Sequence, residues 1–179
     1  MTGVRVLRVV AAAGVLAMAG VLGWRLLHQH NGTATAIAHG KVVRAPGFSL
    51  KQLSGGGTVS LAALRGRAVV INFWASSCLP CKKEMPRLQQ ASERWASKRV
   101  SVVGIDVLDS RGAARSFARA HGVTYALVYD PLGDTIGPYG VAYTPTTFFV
   151  DRRGRIVKRI LGPVSSTELD VQIGRALAS

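Results

Sequence analysis

Cysteine is almost missing from this chain: its 179 residues hold two, Cys78 and Cys81. Of its four histidines, three (His28, His30, His39) fall in the first forty residues, leaving only His121 beyond them. A multiply stapled scaffold is therefore excluded, and a structural zinc site, which takes about four Cys or His ligands, lacks a full set. Acid is scarce as well, with 9 Asp+Glu against 23 Lys+Arg and a net charge of +14. Such a balance favours anionic surfaces or acidic partners. The basic residues are scattered, however, and no basic run is interleaved with aromatics, so nucleic acid is not an expected partner. Arg152, Arg153 and Arg155 form the tightest cluster and read as a solvated basic face. Internal repeats and long low-complexity tracts are absent too.

Only one long apolar run is present, Val9 to Trp24 (VVAAAGVLAMAGVLGW). Arg5 and Arg8 precede it; Arg25 and His28 follow. A membrane-spanning helix takes about 17–25 residues, a length reached when Arg25 snorkels and Leu26 and Leu27 are counted. The rival is a cleaved signal peptide, whose apolar region runs about 7–15 residues. Small-residue sites exist at Ala34-Thr35-Ala36 and Ala36-Ile37-Ala38, but they lie well past the run, beyond Arg25. The expectation is an uncleaved anchor over residues 1–27, with the arginines inside and the domain on the extracytoplasmic side; a secreted protein is the alternative. No cysteine lies there, which excludes a lipoprotein anchor. Residues 28–45 (HQHNGTATAIAHGKVVRA) are polar and small and read as a flexible tether of about 20–25 Å. A single domain, residues 46–179, follows.

Within it, GFSLKQL and TVSLAAL flank a glycine turn and predict a hairpin. Ala68–Trp74 (AVVINFW) fits a strand buried on both faces. A helical pattern from about Pro80 to Lys98 places Met85, Leu88, Ala91 and Trp95 on one side. Val100–Asp106 is a second buried strand, Gly112–His121 a helix stopped by Gly122, Tyr125–Tyr129 a short strand and Asp134–Tyr139 a helical turn. Thr146–Asp151 and Ile156–Gly162 form a hairpin, and Ser165 with Glu168 offers a capping box for a last helix. This alternation predicts an α/β fold, a central mixed sheet with helices on both faces.

The two cysteines stand three apart in NFWASSCLPCKKEMP. A disulfide closing so short a loop removes little entropy from the unfolded chain, so stapling is a poor reason for it. Redox chemistry suits the position better. A buried strand ends at Trp74 and Cys78 opens a helix, where the dipole and free backbone N–H groups stabilise a thiolate. Pro80 is tolerated in the first turn because its missing N–H would be unpaired anyway. One turn on, Cys81 can resolve a mixed disulfide formed at Cys78.

With APGFSL, VSLAALRGRAVVINFWASSC, KKEMPRL and YTPTTFFVDRRGRIV in this order and spacing, the chain resembles the membrane-anchored, thioredoxin-like thiol-disulfide oxidoreductases of the TlpA/ResA/CcmG type. The resemblance covers most of residues 45–160. It implies a thioredoxin-like fold with an N-terminal hairpin extension and a redox-active disulfide, with Cys78 as exposed attacking thiol and Cys81 as buried resolving thiol. Thr144-Pro145 matches the family's cis-proline loop, which contacts the bound partner; an ordinary trans turn is the alternative. Asn72 stands where cytoplasmic thioredoxins carry a buried Asp, and Asn takes no proton. Glu84, three residues after Cys81, is expected to serve as modulating acid/base; the alternative is a solvent-facing glutamate paired with Arg87 or Lys83. Ser77 departs from the Trp the family usually has before its first cysteine, and Gly47 from its usual Asp.

The resemblance implies an extracytoplasmic reductant of protein disulfides. Its substrates would extend to apocytochrome c during cytochrome c maturation, and a transmembrane thiol conductor would supply electrons. No cofactor or metal is expected. An oxidant or isomerase of protein disulfides is the first alternative. A peroxiredoxin would need Pro seven and Thr or Ser three residues before the reactive cysteine, where this chain has Ile71 and Ala75. A copper metallochaperone would need a wider cysteine spacing and a partner histidine.

Overall fold

The structure, a computed structural model, describes residues 32–179 together with Met18 and Gly20. The expected anchor over residues 1–27 otherwise lies outside the described residues. No helix among the described residues is long and apolar enough to cross a membrane.

Among the described residues eight strands are present: β1 Val43–Arg44, β2 Ser49–Lys51, β3 Thr58–Ser60, β4 Ala68–Trp74, β5 Val100–Val107, β6 Ala126–Asp130, β7 Thr146–Val150 and β8 Arg155–Leu161. Among the described residues after β1, three helices lie between strands, α1 Leu79–Trp95, α2 Arg111–Ala120 and the single turn α3 Ile136–Tyr139, and α4 Ser166–Ala178 follows β8. Six strands form one mixed sheet in the order β1-β8-β7-β4-β5-β6. β4, β5 and β6 run parallel, whereas β7 is antiparallel to both β4 and β8. The expected hairpin is β2–β3, paired from Ser49↔Ser60 to Lys51↔Thr58. It closes the β6 edge through a Gln52↔Val128 bridge and the Leu53 N–H on Leu127 O at 2.8 Å. A covered edge cannot template pairing with another chain.

β4 is central, and all seven of its residues are buried. Its even-numbered residues Ala68, Val70 and Trp74 pack with Cys81, Met85 and Leu88 of α1 and with Ala114 of α2. The odd ones, Val69, Ile71 and Phe73, pack with Tyr139 and Phe148 on the opposite face. There Phe73, Tyr139 and Phe148 form a triangle with ring centroids 5.2 to 5.6 Å apart. The alternation of side chains along a strand thus produces two core layers from one continuous apolar run. The last helix starts as its cap predicts, the Glu168 N–H donating to Ser165 Oγ at 3.1 Å; the Glu168 carboxylate turns forward to Gln172.

The tether differs from expectation. Residues 32–38 are helical, Ile37 is buried in the lower core layer, and Val43 and Arg44 pair with Ile156 and Arg155. Ala34 meets the domain at Gly140, where an added Cβ would lie 3.2 Å from the Ala34 Cβ. The small, polar composition concealed one large apolar residue and an unpaired β8 edge, which together dock the segment.

Candidate active site

The turn between β4 and α1 carries the reactive pair. Cys78 is the N-cap of α1, with extended backbone (φ −81°, ψ 101°), and its Sγ accepts the Cys81 N–H at 3.2 Å. Leu79 and Pro80 fill the first helical positions, and Cys78 and Cys81 are joined in a disulfide. Their surroundings differ: Cys78 is half-buried, whereas Cys81 is 1% exposed. The helix start points its free N–H groups at Cys78, the sulfur a partner can reach.

Glu84 lies one turn beyond Cys81 and is 1% exposed. It is no solvent-facing glutamate. Asn72 Nδ2 donates to Glu84 Oε1 and, at 3.0 Å, to Thr147 Oγ1. Glu84 Oε2 accepts the Val164 N–H at 2.8 Å, and Arg87 Nη1 donates to the Val164 carbonyl at 3.1 Å. Burial pushes the Glu84 carboxyl up to about 7, against the opposing pull of the Val164 and Asn72 hydrogen bonds and the Arg87 charge. An acid that titrates near neutral pH one helical turn from a buried cysteine suits proton exchange with its thiol once the disulfide is reduced.

The Thr144–Pro145 bond is cis. Pairing of Phe73 with Thr146 brings this loop alongside the carboxyl end of β4, where the cysteine turn begins. The Pro145 carbonyl accepts the Gly162 N–H at 2.9 Å, and Thr146 Oγ1 donates to the Tyr143 carbonyl at 2.7 Å. Tyr143 itself is 52% exposed.

Two acids at the end of β5 were not anticipated. Asp109 Oδ2 accepts the Ser76 N–H and Oδ1 the Ser110 N–H, both at 2.7 Å, so one carboxylate ties the pre-cysteine loop to the start of α2. Burial pushes this carboxyl up, but the bonds from Ser76 and Ser110 outweigh it and hold it below the usual carboxylate range. Asp106 is fully buried with no partner for either carboxylate oxygen. Burial, reinforced by the charges of Asp109 and Asp130, pushes it up to about 8. The signal lay in position: β5 runs parallel to β4, and groups at the carboxyl ends of parallel strands line functional clefts. Among the described residues no group of three or more His, Cys, Asp or Glu side chains is placed to hold a metal ion.

A disulfide at a helix start, opposite a cis-proline loop on a mixed sheet, defines a thioredoxin-like thiol-disulfide oxidoreductase. The chain belongs to the AhpC/TSA family, whose pattern matches residues 43–159. The thiol-disulfide oxidoreductase ResA of Bacillus anthracis is 30% identical over 156 residues, covering 87% of this chain and 88% of that protein. A thioredoxin-family thiol:disulfide interchange protein from Chlorobium tepidum superposes with a TM-score of 0.69 at 28% identity, over 76% of this chain and 97% of its own. A secreted thiol-disulfide isomerase from Corynebacterium glutamicum gives the same TM-score, 0.69, and identity, 28%, over 76% of this chain and 87% of its own.

Proposed function

We propose that the protein is an extracytoplasmic reductant of protein disulfides, its substrates extending to apocytochrome c in cytochrome c maturation. In the reduced protein the Cys78 thiolate attacks a partner disulfide. A Cys78–partner bond forms, the partner's S–S bond breaks, and the partner's first sulfur leaves as a thiolate and takes a proton. Cys81, giving its proton to Glu84, then attacks Cys78 Sγ and expels the partner's second sulfur. Two electrons pass to the partner, and the Cys78–Cys81 disulfide remains. A transmembrane dithiol donor restores the dithiol by the reverse exchange. Thr144 and Pro145 receive the partner's backbone beside the disulfide.

The observation that carries the roles is the contrast between half-buried Cys78 and 1%-exposed Cys81 within one disulfide. Placement outside the cytoplasm is supported by the secreted Corynebacterium relative, and an uncleaved anchor over residues 1–27 by the positively flanked apolar run. That relative's isomerase activity supports a second reading, reshuffling of partner disulfides. Peroxide reduction is disfavoured by Ile71 and Ala75 in the peroxiredoxin positions.

Trapping tests the assignment. Cys81→Ser should accumulate mixed disulfides on Cys78, identified by mass spectrometry, and Cys78→Ser should accumulate none. In the reduced wild type Cys78 should be alkylated first, with a pKa below the ordinary ~8.5. Faster alkylation of Cys81 would reverse the roles.

A further inference from the structure

We propose that Leu108 and Leu132 form an apolar docking surface, continuous with the redox face, that seats an extended apolar segment flanking the reactive cysteine of a partner protein. The proposal rests on the reading of this chain as a reductant of protein disulfides.

Both leucines lie in loops at the carboxyl ends of parallel strands, one residue after β5 and two after β6. Leu108 is 67% and Leu132 78% exposed. The two loops that carry them pack together. The Leu108 N–H donates to the Asp130 carbonyl at 3.2 Å, and a Cβ added at Gly133, next to Leu132, would lie 3.0 Å from Leu108 Cδ2. They also adjoin the redox turn, since Asp109, next to Leu108, holds the Ser76 N–H at 2.7 Å, two residues before Cys78. Leu79, between the cysteines, is 78% exposed, and Tyr143 leads into the cis-proline loop on the far flank of β4.

The backbone at Leu108 argues that this side chain is there for contact. Its φ of 53° is left-handed, a conformation that Gly or Asn adopts at less expense than Leu. A core role would explain a leucine held there, but the side chain is mostly in water. Unfavourable backbone retained beside a reactive group is characteristic of recognition sites. The occupant follows from continuity with the redox face. A partner must bring a sulfur to Cys78, and residues flanking that sulfur then reach the leucine pair over the loop that Asp109 ties at Ser76. Leu108 and Leu132 offer neither charge nor hydrogen bonds, so they select apolar side chains on that segment. Glutathione disulfide, built from Glu, Cys and Gly, has no apolar side chain to place on them.

The test uses the reduced protein with three oxidants: glutathione disulfide, a synthetic peptide disulfide with Leu- and Phe-rich flanks, and the same peptide with Ser- and Gly-rich flanks. Asn replaces Leu108, because Asn tolerates the left-handed backbone, and Ser replaces Leu132. The Leu108→Asn/Leu132→Ser variant should lower kcat/KM for the apolar peptide about tenfold more than for glutathione disulfide, as expected for partial loss of two leucine contacts. The polar-flanked peptide should follow glutathione disulfide. Leu132→Ser alone should show a smaller loss in the same direction, which keeps the test decisive if the double variant folds poorly. An equal change with all three oxidants would overturn the docking surface while leaving the redox reading intact. A wild type inert toward all three would overturn the redox reading, and the docking surface with it.

Discussion

The side-chain amide of Asn72 on β4 donates to the carboxylate of Glu84 on α1, joining the central strand to the redox helix beneath the disulfide. The second oxygen of Glu84 is held by the Val164 N–H at 2.8 Å. Thus the acid is buried, oriented from two sides, and close to half-ionised at neutral pH because burial raises it to about 7. Asn72 positions it without competing for its proton.

Glu84→Gln should therefore slow thiol-disulfide exchange about tenfold to a hundredfold and remove an inflection near pH 7 from the pH–rate profile, leaving that of Cys78. The fold should survive with somewhat lower stability. A glutamine has one oxygen for the two donors, Asn72 and Val164, and leaving one unsatisfied costs about 1–3 kcal/mol. Stopped-flow exchange from pH 5 to 9 checks this; an unchanged inflection would remove Glu84 from the proton path.

Asp106 makes a separate prediction about stability. Its carboxyl rises from the ordinary 3.8 to about 8 on folding. Between those values the folded protein holds a proton that the unfolded chain has released, so stability falls as pH rises and levels off above about 8. Glu84 adds a fall of the same sign between 4.5 and about 7. Asp106→Asn carries no such penalty. Its Tm should lie below wild type at pH 5, where a neutral acid suits the site, gain on wild type up to about pH 8, and hold level with respect to it from there to pH 9. A difference in Tm that is constant across that range would show that Asp106 is already ionised in the fold.

Much of this was legible in the sequence, and for identifiable reasons. The apolar run AVVINFW permitted one assignment, a strand buried on both faces, and all of β4 is buried. The C-x-x-C spacing after it, between a strand end and a helix start, pointed to a redox turn. The resemblance, rather than any local signal, supplied cis Pro145, because an X-Pro bond is trans by default. Asp109 and Asp106 escaped notice because their roles depend on strand register: Trp74 faces Asp106 only once β4 and β5 pair in parallel. Ile37 escaped because one apolar residue among Thr, Ala and Gly carries no periodicity.

Gly104 marks the tightest point of that pairing. A Cβ there would lie 2.5 Å from Leu127 Cδ2 and 3.0 Å from Trp74 Nε1. Trp74 is fully buried and stacked on Phe117 at 5.3 Å, so it has little room to move. Gly104→Ala should destabilise the protein by about 1–3 kcal/mol through overpacking. It should also perturb the redox turn, which begins one residue after Trp74. Denaturant unfolding measures the first effect and the Cys78 alkylation rate the second; a loss below about 0.5 kcal/mol would mean that Leu127 repacks freely.

The direction of electron flow follows from the charges around Cys78. A disulfide is strongly oxidising when its reduced form is stabilised by an unusually favourable thiolate, as at about −120 mV in DsbA against about −270 mV in thioredoxin. Here the helix start favours the Cys78 thiolate. Leu79 and Pro80, the residues between the cysteines, add neither charge nor side-chain hydrogen bonds. Asp109 opposes it, because its carboxylate, held ionised by Ser76 and Ser110, lies against the loop that leads into Cys78. Lys82 and Lys83 are exposed and screened over about 10 Å. The sum predicts a modestly stabilised thiolate and a reducing couple, nearer thioredoxin than DsbA. Asp109→Asn removes the opposing charge while keeping an oxygen for one amide. It should lower the Cys78 pKa and raise the midpoint by about 10–20 mV, the equivalent of about 0.5–1 kcal/mol across a partly screened gap. Redox titration against glutathione or dithiothreitol reads the midpoint, and the pH dependence of Cys78 alkylation reads the pKa. A wild-type midpoint above about −180 mV would make the protein an oxidant or isomerase, and a midpoint unmoved in Asp109→Asn would show that this carboxylate only holds the loop.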